Sequence, residues 1–262
     1  GVYKCWACSE THGTHGSLRK LMNIYATKRI KDRYFSLVDG SDFEYSEANI
    51  ITEKIELPKE YVPLSNNTKE DYQTIKVIRY LKSRAITQDI ISRNKIGFCQ
   101  SGKYSGRVII PSYDKYGELN YFISRSYVNH KMKYLNPVTP KEEVIFNEDK
   151  INWNKNVFLV EGVFDSLFIP NSIPMLGKVM SDKLWEVMYG KLTKKIFIVL
   201  DSDAWGDAIK LYKKLDGGKL KEKVFLTKVP NDTDVADIVK NYGIDELKKI
   251  LLSSGRLKES TL

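Results

Sequence analysis

The sequence has 262 residues, with 42 lysines and arginines against 33 aspartates and glutamates, a formal net charge of +9. That length can bury one good core or two small ones, and a hydrophobic content of 42% excludes a wholly disordered chain. No apolar run approaches the ~20 residues that cross a bilayer and no signal peptide is present, so an intracellular, cytoplasmic protein is expected; the positive charge suits a polyanion such as nucleic acid, or simply a basic surface.

Three cysteines make no disulfide framework, and the pair in Cys5-Trp6-Ala7-Cys8 suggests metal binding instead. Residues 3–14 resemble the second half of a zinc ribbon, with Cys5 and Cys8 as two of the four ligands that tetrahedral zinc requires. The other pair either lay upstream or is supplied by His12 and His15. Because the chain begins at Gly1 rather than Met, it reads as a piece whose N-terminal part was removed. Helical spacing follows over 16–25 through Leu18, Leu21, Met22 and Tyr25, with Ser17 as a possible cap.

From residue 39 to 71 the composition turns to Ser, Asn, Glu and Pro without periodicity, the character of a linker at a domain boundary. A helix is predicted over 72–80, with Ile75, Ile78 and Leu81 inward, Arg84 in the turn that ends it, and Thr87 capping the next helix. The period then changes to that of a β-hairpin: Gly106-Arg107-Val108-Ile109-Ile110-Pro111, a turn at Asp114-Lys115-Tyr116-Gly117, and a return strand ending in Ser124-Arg125. After it, His130-Lys131-Met132-Lys133-Tyr134-Leu135-Asn136 mixes cations with an aromatic ring. Cations for phosphates and a ring for a base are the chemistry of single-strand binding, though a basic surface turn with a core tyrosine has the same composition.

The remaining sequence alternates strand and helix, which means an α/β sheet. Strands are expected over 157–160, 174–176, 196–200 and 224–229, and helices over 164–169, 181–189, 207–215, 235–242 and 244–252. Two of the strands end on acid: Val157-Phe158-Leu159-Val160 meets Glu161, and Ile196-Phe197-Ile198-Val199-Leu200 meets Asp201-Ser202-Asp203. Continuous β-branched and aromatic runs suit interior parallel strands, whose carboxyl ends carry the active sites of such sheets. Glu161, Asp201 and Asp203 are therefore expected around one crevice, where their mutual repulsion calls for a hard divalent cation. Asp234, after the last strand, can lie along the same edge or simply cap a helix.

Glu161-Gly162-Val163-Phe164-Asp165, followed by Asp201-Ser202-Asp203 on a second apolar strand, resembles the signature of the topoisomerase/primase (Toprim) domain. Tyr80-Leu81-Lys82-Ser83-Arg84-Ala85-Ile86-Thr87, Ile96-Gly97-Phe98, Gly106-Arg107-Val108-Ile109-Ile110-Pro111, Lys133-Tyr134-Leu135-Asn136 and Asp234-Val235-Ala236-Asp237 narrow the resemblance to DNA primases of the bacterial and phage type. Val160-Glu161-Gly162 continuing to Asp165-Ser166-Leu167-Phe168-Ile169 is most similar in pattern to the primases of large T-even-like tailed phages. The resemblance implies the end of a zinc-binding domain at 1–38, a linker at 39–68, the basic subdomain of an RNA polymerase domain at 69–154, and a Toprim subdomain with C-terminal helices at 155–262.

It further implies a metal-dependent nucleotidyltransferase that makes short RNA primers from ribonucleoside triphosphates on single-stranded DNA, usually beside a replicative helicase. Glu161, Asp165, Asp201 and Asp203 take the catalytic positions. Glu161, Asp201, Asp203 and Asp234 would hold Mg²⁺ or Mn²⁺, and Cys5 and Cys8 half of a Zn²⁺ site. Arg84, Arg107, Arg125, Lys133 and Asn136 would face template and nucleotide. Trp205 stands where many members have a small residue. Other readings of the same acids are a Toprim nuclease or topoisomerase, and an inert truncated primase that only binds template or helicase.

Overall fold

The structure, a computed structural model, describes residues 2–4, 15–17, 22, 30, 34, 55–65, 71–177, 179–191, 194–230 and 232–257. The chain divides into two compact units, Gly1–Lys54 and Ile55–Leu262. In the first, β1 (Val2–Lys4) and β2 (His15–Ser17) pair antiparallel, with Lys4 opposite His15. Ser17 is the last residue of β2. Cys5, Cys8 and His12 lie outside the described residues.

The second unit contains two four-stranded sheets. The first is antiparallel, in the order β3 (Tyr61–Pro63), β4 (Gly97–Cys99), β5 (Arg107–Tyr113), β6 (Leu119–Ser126). The predicted hairpin is β5–β6: its turn is fixed by Asp114, whose Oδ1 accepts from the backbone N–H of Tyr116 and Glu118, and by Gly117 at φ 81°. Strand β3 falls in the stretch expected to be linker. The reason is an apolar patch on one face of the sheet, Cys99, Ile109 and Phe122, which Ile55, Leu57 and Tyr61 cover. Burying each of the larger side chains contributes roughly 1.5–3 kcal/mol, enough to order a polar-looking segment. Gly97 permits the close approach, since a Cβ there would lie 2.2 Å from the Tyr61 ring.

Two helices pack against this sheet, α1 (Tyr72–Ser83) and α2 (Gln88–Arg93), capped by Asp71 and by Thr87, whose Oγ1 accepts from the Ile90 N–H. The buried stripe of α1 is Thr74, Val77 and Leu81; Ile75, expected inward, is 45% exposed, because the i, i+3, i+7 row includes Val77 instead.

The second sheet is all parallel, in the order β10 (Val224–Lys228), β9 (Ile196–Leu200), β7 (Val157–Val160), β8 (Ser172–Pro174). From β7 the chain crosses to one side to form β8, then returns to the other side for β9. The reversal falls between β7 and β9, the position at which open parallel sheets bind ligands. Among the described residues five helices accompany this sheet: α3 (Val163–Ser166), α4 (Asp182–Lys191), α5 (Trp205–Leu215), α6 (Val235–Tyr242) and α7 (Ile244–Leu252). Helix α3 is shorter than the predicted 164–169. Leu167 and Phe168 already bond three residues back, to Phe164 and Asp165, and Pro170 disfavours helical geometry at the residue before it.

One core joins the two sheets: Phe98, Val108, Ile110, Tyr121 and Ile123 of the antiparallel part are continuous with Val160, Val163, Phe164 and Val199 of the parallel part. A second core lies around Leu159, Ile198, Met188 and Tyr212. No helix among the described residues is long and apolar enough to cross a membrane.

Candidate active site

Glu161 follows the last residue of β7 and Asp201 the last of β9, and because these strands are parallel neighbours both carboxylates emerge at one edge. A 3₁₀ turn over Ser202–Ala204 then brings Asp203 back to the same place. One oxygen from each of Glu161, Asp201 and Asp203 lies within 4.8 Å of the others, with Asp203 the most exposed. Hard oxygen ligands on three sides suit Mg²⁺ or Mn²⁺, which keep several waters and share the rest of their shell with substrate phosphates.

Asp165 stands behind this trio on α3, 9% exposed, with its Oδ2 accepting from the Gly162 N–H at 3.1 Å. Burial pushes its carboxyl up to about 7, and the charges of Asp201, Asp234 and Glu161 add to the rise. Asp234 stands outside the trio. Its Oδ1 accepts from the Asp237 N–H at 2.7 Å and caps α6. The loops carrying Asp201 and Asp234 are tied together where the Asp232 N–H donates to Ser202 Oγ.

A pH dependence follows for the metal-free chain. The folded carboxyl of Asp165 titrates near 7 and the unfolded one near the usual 3.8, so between those values the folded state holds the extra proton. Stability is then greatest below about pH 4 as far as this group is concerned, and falls as pH rises toward 7. Asp165→Asn, which can still accept from Gly162, is expected to remove that slope and to raise stability at pH 7.5 by roughly 2–4 kcal/mol, read from urea unfolding at pH 5 and 7.5.

Of these acids Glu161 lines a crevice of about 240 Å³. One wall is Glu161, Gly162, Val163 and Phe164; the other is Tyr121, Ile123, Tyr134, Asn136 and Lys141. The second wall is built by residues 133–136, which add to the antiparallel sheet beside β6: the Ser126 N–H donates to the Lys133 carbonyl, the Leu135 N–H to that of Ser124, and Asn136 Oδ1 accepts from the Ser124 N–H. Lys133 and Tyr134 are left exposed.

The predicted basic residues divide into two kinds. Arg107 is only 4% exposed; Nη2 donates to the Met132 carbonyl at 2.9 Å and Nη1 to that of Lys133 at 3.2 Å. Its guanidinium thus holds the backbone that carries Lys133, and desolvation lowers its pKa. Arg84 and Arg125 lie 5.2 Å and 5.1 Å from the ring of Phe164, and Arg125 also donates to the Tyr134 hydroxyl. These stacking contacts bind the basic part to α3. Lys141 was missed in the sequence. It lines the crevice and donates through Nζ to the Leu176 carbonyl at 3.1 Å, but it stands in Thr139-Pro140-Lys141-Glu142, where neither period nor spacing marks it.

A parallel sheet with an acidic switch point, joined through one core to a basic antiparallel sheet, defines the fold of the RNA polymerase domain of DNA primases. The structure aligns with the zinc-binding and RNA polymerase domains of the Aquifex aeolicus primase at a TM-score of 0.61 and 21% identity, covering 99% of this chain and 74% of that one. It aligns with a DnaG primase catalytic domain bound to single-stranded DNA at a TM-score of 0.60 and 20% identity, covering 71% and 76%. In sequence the chain is 23% identical to the DNA primase of Lactococcus lactis over 98% of its own length and 48% of the relative's, and 31% identical to that of Aquifex aeolicus over 60% and 34%. It is also 29% identical to the uncharacterized protein MG010 of Mycoplasma genitalium, over 67% of this chain and 79% of that one. The chain thus spans about half or less of the curated primases it matches. No family model matches it.

Proposed function

We propose that this chain is the primer-synthesising core of a DNA primase, a DNA-directed RNA polymerase acting on single-stranded DNA with ribonucleoside triphosphates. The observation that carries the proposal is the three-carboxylate group at the ends of β7 and β9, whose Glu161 lines a crevice with Lys141, Asn136 and Tyr134 on its other wall. Glu161, Asp201 and Asp203 would hold Mg²⁺ or Mn²⁺; when bound, the ion offsets triphosphate charge and makes the attacking hydroxyl more acidic. Lys141 and Lys133 attract the phosphates, and Tyr134 offers a face for a base. The 3′ hydroxyl then forms its bond to the α-phosphorus as the bond to the β-phosphate breaks and pyrophosphate leaves. Asp165 keeps the back of the acidic group dry and holds its proton near neutrality.

In this reading residues 69–154 are the basic subdomain and 155–262 the Toprim subdomain, the latter carrying the ligands for Mg²⁺ or Mn²⁺. A replicative helicase is the expected partner. The chain's N-terminal Cys5 and Cys8 would belong to a Zn²⁺ site, in keeping with the zinc-binding domain of the similar Aquifex aeolicus primase. The run from Val160 to Ile169 supports a place near the primases of large tailed phages.

Template binding tests one half of the proposal. Fluorescence anisotropy with a labelled single-stranded oligonucleotide should show affinity falling steeply with salt. Lys133→Ala should weaken binding about equally for all sequences and reduce the log–log salt slope by about 1. An affinity indifferent to salt contradicts the basic wall as a phosphate-binding surface.

A further inference from the structure

A second cavity, of about 220 Å³, lies at the other end of α3. The acidic crevice is lined by Gly162, Val163 and Phe164; this one is lined by Ser166 and Leu167, together with Arg93 and Asn94 at the end of α2 and with Asn147 and Lys150. Among the described residues two cations and no carboxylate line it.

Asn147 is the unusual member. It is 9% exposed, its backbone sits in the left-handed region at φ 53°, and its N–H donates to Ser112 Oγ at 2.8 Å, which fixes the residue in place. Its side-chain Oδ1 is buried and has no hydrogen-bond partner. Leaving such an acceptor unsatisfied costs roughly 1–3 kcal/mol, so the position calls for a ligand that donates a proton to it. Around it the cations are held by backbone and amide oxygens, and Arg93 Nη1 also lies 3.6 Å from Asp89 Oδ2 in an exposed ion pair. Lys150 Nζ donates to Asn94 Oδ1 at 3.1 Å and to the Arg93 carbonyl at 3.3 Å, and Arg93 Nη2 donates to the Leu167 carbonyl at 2.8 Å. An ammonium has three N–H donors and a guanidinium five, so both keep capacity for an anion.

We propose that this cavity binds a phosphoryl anion carrying one proton, either inorganic hydrogen phosphate or the terminal phosphomonoester of a larger molecule. Arg93 and Lys150 take the charged oxygens, and the P–O–H donates to Asn147 Oδ1. The volume is below the roughly 300 Å³ at which pockets take drug-sized ligands, which fits a tetrahedral anion or a phosphoryl tip. Arg93 also holds the end of the short helix that carries Asp165, so occupancy acts on the element behind the acidic group.

Isothermal titration at pH 7 and constant ionic strength tests this with phosphate and with sulfate, which has no proton to give. The expected result is phosphate binding stronger than sulfate binding in the wild type, weakened at least tenfold by Lys150→Met and by Asn147→Gly. The glycine variant preserves the left-handed backbone and carries the test if the methionine variant fails to fold. Lys133→Ala, on the segment that lies beside β6, should leave the phosphate response intact, so the outcome is independent of the polymerase reading. Adenosine 5′-monophosphate binding with equal affinity assigns the site to phosphomonoesters, and its exclusion with phosphate retained assigns it to the free ion; each supports the proposal. No phosphate binding by the wild type, sulfate binding as tight as phosphate, or equal phosphate binding by the wild type and the folded cavity variants overturns it.

Discussion

Asp201→Asn is expected to reduce template-dependent ribonucleotide incorporation by about a thousandfold or more, since losing one ligand forfeits several kcal/mol of charge stabilisation in the transition state. The same variant should bind Mn²⁺ at least tenfold more weakly, measured by electron paramagnetic resonance. Its fold should survive. Asp201 lies within 4.8 Å of two other carboxylate ligands and is the largest charge contribution, after burial, to the raised pKa of Asp165. Removing its charge relieves repulsion, so the thermal midpoint in metal-free buffer should stay level or rise. A variant that retains full activity would contradict the assignment of the acidic group. A variant that loses activity because it unfolds would contradict the account of repulsion.

Arg107 should have the largest effect on stability among the basic residues. Replacing it with methionine removes both donors that the Met132 and Lys133 carbonyls receive from the buried Arg107 guanidinium. A cost of roughly 2–4 kcal/mol is expected from urea unfolding. Lysine does not restore it, because one ammonium lacks the fork that reaches two carbonyls. The distinguishing measurement is the salt dependence of DNA binding. If Arg107 positions Lys133 without touching phosphate, Arg107→Lys weakens binding but leaves the log–log salt slope unchanged. A slope lowered by about 1, as for Lys133→Ala, would mean that Arg107 contacts phosphate directly.

Much of the parallel half can be read from residues alone. Strands β7 and β9 and helices α6 and α7 have the predicted bounds, and Asp234 caps α6 as its position allowed. Continuous apolar runs ending on acid are a local signal, and local signals survive folding. The failures are non-local. Strand β3 is hidden by Pro58 and Pro63 and exists because Cys99, Ile109 and Phe122 need cover. The role of Arg107 depends on carbonyls 25 and 26 residues away, which no spacing announces. Lys141 reaches the crevice only because residues 133–136 lie down beside β6. The acids of the site were legible by position, whereas the cations were legible only by type: which of them is buried, stacked or displayed is settled by packing.

The most direct test of the central claim is product analysis. The chain is incubated with a single-stranded DNA template, labelled ribonucleoside triphosphates and Mg²⁺ or Mn²⁺, and the products are resolved on a denaturing gel. Short RNA whose sequence follows the template, absent when the metal is chelated, is the result the account predicts. Nicking of circular DNA without ribonucleotide incorporation would instead assign the same carboxylates to a nuclease or topoisomerase and contradict it.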